Sequence, residues 1–139
     1  MINRVLDLQN INVRNVTIPM DQVPTVAASM PMAEALKLSR ERNSPRLPVW
    51  TDEGGRRRIA GILSLRAVLY QGDPDMGRTA GDYLKPALYV EEEMRLEEAL
   101  KRMQRGGQRM AIVLGRDRRE TGVVSLQDIL KVIFGEVKL

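Results

Sequence analysis

Apolar positions recur along this chain twice, in the same order and at nearly the same spacing. In the second half Leu96, Ala99, Leu100 and Met103 follow the i, i+3, i+4, i+7 rule of an amphipathic helix. The first half repeats the stretch around it: "VAASMPMAEALKLSRERNSPRLPVW" aligns with "VEEEMRLEEALKRMQRGGQRMAIVL", 64 positions apart, placing Val26 on Val90 and Met32 on Leu96. Pro31 can open the first of these helices at its first helical position. Short strands near Thr25-Val26 and Leu88-Val90 lead in. The β-prone runs "RLPVW" and "RMAIVL" follow, then the turns "TDEGGRRR" and "GRDRRE", then the strands "IAGIL" and "TGVV". A second helix closes each copy, from "GILSLRAVL" at 61–69 and "GVVSLQDIL" at 122–130.

The predicted order is therefore β-α-β-β-α, twice, an α+β fold built from an internal repeat. A unit of about 60 residues with helices for one sheet face buries too little surface to stand comfortably alone. Two such units packed sheet to sheet about a pseudo-twofold axis would share a core. The boundaries read as 1–71 for the lead-in and first repeat, 72–78 for a linker marked by Gly72, Pro74 and Gly77, and 79–139 for the second repeat with its C-terminal helix. The lead-ins "NVRNVTIP" and "TAGDYLKP" correspond loosely.

Composition narrows the chemistry. The chain has no cysteine and no histidine, which removes disulfides, thiolate zinc sites and the commonest neutral-pH general base. No nucleophile and base can be paired from what remains, so an enzyme is not expected. The net charge of +4 raises the question of an anionic partner, but aromatic residues are only 4% of the chain, too few for a base-stacking platform. Arg56, Arg57, Arg58 and Arg116, Arg118, Arg119 read as solvated hairpin tips, and no nucleic-acid partner is expected. With no apolar run of membrane-spanning length and no signal-peptide pattern, the sequence reads as a soluble, cytoplasmic-type polypeptide.

The pair "GILSLRAVL" and "GVVSLQDIL" raises one local question. Ser125 and Ser64 each stand where a helix N-cap is wanted, but Asp128 has Ala67 as its counterpart. Ser125-x-x-Asp128 is a close variant of the capping box, and it is equally the spacing of a hydroxyl and a carboxylate that hold a ligand. Capping does not require Asp128, since the first copy keeps the serine without the acid. Arg46 reads either as an anion contact or as an arginine whose stem covers apolar surface. Pro48 reads as an edge-strand or bulge proline, the eight methionines as core filler, and Glu91 to Glu93 as the acidic first turn of a helix.

"RLPVW" with "GILSLRAVL", and "RMAIVL" with "GVVSLQDIL", resemble the cystathionine-beta-synthase (CBS) domain in its tandem form, the Bateman module. Together with "ILKVIFGEVKL" and the opening "MINRVLDLQNINVRNV", they look most like the CBS pair of CorC/HlyC and cyclin M type magnesium and cobalt transport proteins. That resemblance implies an adenine nucleotide, AMP or ATP with or without magnesium, as regulatory ligand. Asp128 would hold its ribose and Ser125 its phosphate, while Ser44, Pro45, Arg46, Leu47 and Pro48 would line the base and phosphate region, with Ile18 near the adenine. Ser64 and Ala67 with Gln108, Arg109, Met110 and Ala111 would form a second site, weak or empty for want of a carboxylate. Where the family often reads Met-Thr-Pro-Arg, this chain has Thr17-Ile18-Pro19-Met20, and "GRDRRE" replaces an acidic turn. The resemblance further implies a homodimer through the CBS modules, and a transmembrane transporter domain in the same full-length protein, with this part on the cytosolic face. The alternative is a CBS dimerisation module that has lost its ligand.

Overall fold

The computed structural model describes residues 11–70, 75 and 77–134. Readings placed on the first ten residues, on most of the linker and on the last five residues lie outside them. The element order is β1 (Ile18–Pro19), β2 (Val26–Ala27), α1 (Met32–Glu41), β3 (Arg46–Glu53), β4 (Arg56–Ser64), α2 (Leu65–Tyr70), β5 (Leu88–Glu91), α3 (Leu96–Gly106), β6 (Met110–Leu114), β7 (Glu120–Ser125) and α4 (Leu126–Ile133). The β-α-β-β-α order read from the repeat is thus present twice, as β2-α1-β3-β4-α2 and β5-α3-β6-β7-α4.

The chain divides into two compact units, residues 23–87 and residues 1–22 with 88–139. In the first, β2 runs parallel to β3, and β3 antiparallel to β4. In the second, β5 runs parallel to β6, β6 antiparallel to β7, and β1 adds a fourth, antiparallel strand on β7. Both β3 and β6 slip register at equivalent places, between Val49 and Trp50 and between Val113 and Leu114. Even the helix ends match: Gly107 closes α3 at φ 66°, and Asn43, its counterpart after α1, adopts φ 50°. Asparagine is among the few non-glycine residues that tolerate this left-handed conformation.

Each unit has its own core. Met32, Ala35, Leu47, Val49, Leu63 and Val68 fill one, and Leu96, Ala99, Met103, Val113, Val124 and Ile129 the other. Met32 and Met103 are fully buried, as core-filling methionines should be. The lead-ins supply one buried residue each, and they do so crosswise. Val13, from the lead-in that the sequence assigns to the first repeat, sits in the core of the second, and Ala80, ahead of the second repeat, sits in the core of the first.

The backbone crosses in the same way. Ile18 of β1 pairs with Val123 of β7, and Lys85 bridges to its counterpart, Ile62 of β4. Both crossings run over a glycine. A Cβ on Gly61 would stand 2.5 Å from the Lys85 carbonyl oxygen, and one on Gly122 would overlap the Ile18 carbonyl oxygen. The first lead-in therefore belongs spatially with residues 88–139, because β1 pairs with β7 and Asn12 bridges to Arg95.

Four local readings need correction, the fourth being that of Pro48 as an edge-strand or bulge proline, since β3 lies between β2 and β4. Pro31 is the N-cap of α1 rather than its first helical residue, with an extended ψ of 144°. Glu91 to Glu93 do not open a helix: Glu91 ends β5, the Met94 N–H closes a turn onto the Glu91 carbonyl at 3.0 Å, and α3 starts only at Leu96. Arg56, Arg57 and Arg58 are strand residues of β4, because Gly54 and Gly55, at φ 57° and 83°, make the whole turn. Positive φ at both central positions is the mark of the tight hairpin turn whose twist suits the strands.

Pro48 lies in a central strand, which a proline tolerates here for a specific reason. Ile62, opposite it, spends its N–H and carbonyl on Lys85, so Pro48 and Ile62 form a non-hydrogen-bonded pair. The missing donor of Pro48 points to the other side, where β2 pairs only from Val49 onward.

The second lead-in is also tied by Asp82, whose carboxylate accepts from the Thr79 N–H at 3.1 Å and the Thr79 hydroxyl at 3.2 Å. These bonds, foremost the backbone one, and the nearby Arg78 hold its carboxyl below the ordinary 3.8. A carboxyl depressed on folding stabilises above its ordinary value and loses that contribution as pH falls through the folded one. The urea midpoint of wild type should exceed that of Asp82→Asn near neutrality, and the difference should shrink as the pH falls below the ordinary 3.8.

Candidate nucleotide site

The start of α4 is set by β7. Ser125 ends the strand at φ −101° and ψ 148°, and its Oγ accepts the Asp128 N–H at 3.0 Å. The Leu126 N–H donates to the Arg109 carbonyl at 3.0 Å, which anchors the turn to β6. The first repeat is built alike: Ser64 Oγ accepts the Ala67 N–H at 3.3 Å, and the Leu65 N–H donates to the Pro45 carbonyl at 3.0 Å. Serine is therefore the residue that this strand-to-helix turn demands, and its cap contributes about 1 kcal/mol.

Asp128 is a different matter. A full capping box would have its carboxylate accept the Ser125 N–H, and no such bond forms. The lead-ins show that the chain uses that device elsewhere, since Asn15 accepts the Asn12 N–H at 2.9 Å and Asp82 accepts that of Thr79. The Asp128 carboxylate has no hydrogen-bond or ion-pair partner among the described residues. No buried side-chain oxygen or nitrogen among them lacks a partner. The half-buried Asp128 must therefore present its oxygens to solvent, in the first turn of a helix.

The other predicted site residues divide between the units. Ile18 stands with Ser125 and Asp128 in one, half-buried on β1 and opposite Val123, two residues ahead of Ser125. Ser44, Pro45, Arg46, Leu47 and Pro48 belong to the other. Ser44 is fixed by the Ser39 hydroxyl, which donates to its carbonyl at 2.7 Å, and its own hydroxyl donates to the Arg46 carbonyl at 3.3 Å. Arg46 is half-buried, opposite Ser64 across the β3–β4 ladder. Leu47 is fully buried in the core, so only its backbone is open to a ligand. Thr17, next to Ile18, donates its hydroxyl to the Val13 carbonyl at 2.8 Å. Among the described residues no cluster of acidic side chains could hold a metal ion.

A strand-turn-helix unit repeated twice, each time after a β-α-β core, defines a tandem-repeat module. The family model for the CBS domain matches residues 13–71 and 80–135, and the chain belongs to that family. It is similar to the magnesium and cobalt efflux protein CorC of Salmonella typhimurium, 30% identical over 99% of this chain and 47% of that protein. It is also similar to UPF0053 protein YhdP of Bacillus subtilis, 22% identical over 99% of this chain and 31% of that one. The chain thus spans less than half the length of these curated relatives. Among solved structures it superposes on the CBS domain of a bacterial CNNM/CorC family Mg2+ transporter in complex with ATP, with a TM-score of 0.83, 28% identity, and 98% and 96% of the two chains covered. No helix among the described residues is long and apolar enough to cross a membrane.

Proposed function

We propose that this chain is a regulatory, non-catalytic CBS pair that binds adenine nucleotide on behalf of a membrane divalent-cation transport protein. The observation that carries the reading is the Asp128 carboxylate, which the helix cap does not use and which the other copy lacks. Two acceptor oxygens in the first turn of a helix suit the cis hydroxyls of a ribose, and the amides of that turn with Ser125 suit phosphate. Ile18, on the strand paired with β7, belongs to the same contact set. Ala67 leaves the second site without a ribose acceptor, so one pair takes about one nucleotide. The solved relative bound to ATP and the CorC resemblance support this reading. Nucleotide regulates by binding one arrangement of the module better than another, and the module acts as a homodimer.

A second reading, a dimerisation module without ligand, draws on the Thr17 hydroxyl, which is already given to the backbone next to Ile18.

Thermal unfolding with AMP, ATP and ATP plus magnesium separates the two. At about 100 times its dissociation constant a ligand adds roughly 2.7 kcal/mol, a rise of several degrees. Wild type should show that rise with at least one nucleotide, and Asp128→Ala should lose most of it. No rise with any nucleotide favours the second reading, and an equal rise in both proteins removes Asp128 from the ribose.

A further inference from the structure

The two repeats differ at one more corner, where the turn after the lead strand meets the hairpin. In the second repeat Glu91, Glu92 and Glu93 face Gly115, Arg116 and Arg118 across about 120 Å³. That corner satisfies itself: Arg116 bonds Glu93 at 2.6 Å and Arg118 bonds Glu91 at 3.2 Å. In the first repeat the three glutamates are replaced by Ala27, Ala28 and Ser29, and the cleft, lined also by Trp50, Asp52 and Arg57, widens to about 320 Å³.

Arg57, the counterpart of Arg118, lies over the Trp50 ring with its guanidinium carbon 4.6 Å from the centroid. Stacking fixes the guanidinium and leaves its in-plane N–H donors facing outward, the geometry that receives a carboxylate. Neither Arg57 nor Asp52 has an ion-pair partner among the described residues, although they oppose each other across the β3–β4 ladder. The Ala28 N–H donates to the Trp50 carbonyl at 2.8 Å and holds the small-residue wall against the ring.

We propose that this corner of the first repeat binds a small zwitterion, the chemistry of a free α-amino acid. Its carboxylate takes the place on Arg57 that Glu91 takes on Arg118, and its ammonium meets Asp52. The site is separate from the residues assigned to nucleotide.

Trp50 is the chain's single tryptophan, so its fluorescence and indole N–H resonance report this cleft alone. Titration with L-alanine should give a saturable change in wild type, at least tenfold weaker with acetate or ethylammonium. Arg57→Gln should abolish it. Ala27→Glu, which restores the glutamate of the second repeat, should abolish it in a chain whose unfolding transition is unchanged. Asp52→Asn should bring L-alanine down to the level of acetate. No change in wild type, or the same change in Arg57→Gln and Ala27→Glu, would overturn the proposal, and equal binding of acetate and L-alanine would overturn the role of Asp52.

Discussion

Gly122→Ala is expected to destabilise the protein by about 3 kcal/mol, lowering the unfolding midpoint by about 10 °C. The added methyl meets backbone, which cannot rotate away: it runs into the carbonyl oxygen of Ile18 and the Thr17 side chain, the latter 2.6 Å from the ideal Cβ. Either β1 lifts off β7, giving up the pairs Ile18↔Val123 and Pro19↔Gly122, or β7 bends out of its ladder with β6. Both disturb the predicted ligand contacts, because Ile18 and Ser125 flank the collision. Gly61→Ala should behave alike, against the Lys85 carbonyl. Gly106→Ala, at the end of α3 with its nearest foreign atom 3.4 Å from the new methyl, serves as the control and should change little. A fall for Gly122→Ala no larger than for Gly106→Ala would mean that the lead-in does not lie across β7.

Leu47→Ala should cost a similar amount, about 3 kcal/mol, by leaving a void in a fully buried position. Its neighbours in that core, Val26, Met32 and Leu63, sit on strands and a helix that cannot all move inward to fill the space. The prediction bears on function because Leu47 stands in the midst of the segment assigned to nucleotide. A side chain that lines a ligand would cost affinity when truncated, whereas one that fills a core costs stability and leaves the rise with nucleotide unchanged. Urea unfolding with and without nucleotide separates these outcomes. A cost below about 0.5 kcal/mol would contradict the buried position.

These two residues also mark how far the amino-acid pattern could be read. Period-2 alternation in "RLPVW" already points Leu47 and Val49 to one face, and the repeat fixes the strand and helix order of both copies. Asp128 emerged from comparing the copies, because local sequence reads Ser125-x-x-Asp128 as a cap, while the first copy keeps the serine with Ala67 in place of the acid. The crossing of the lead-ins left only one trace, the glycine shared by "GILS" and "GVVS". A pairing between residues as distant as Ile18 and Val123 imposes no local periodicity, so nothing in the lead-in itself named its partner. Glu91 to Glu93 misled for another reason. Negative charge suits a helix start, and it equally suits a strand end facing hairpin arginines, which is where Glu93 finds Arg116.

The crossing orders events on the ribosome. The Lys85 bridge to Ile62 joins segments made close together, so residues 23–87 can complete their sheet soon after they emerge. The β1 segment has no such neighbour. At about 5–20 residues per second, β7 follows Ile18 out of the ribosome roughly 5–20 seconds later, and for that interval β1 waits without a strand to join.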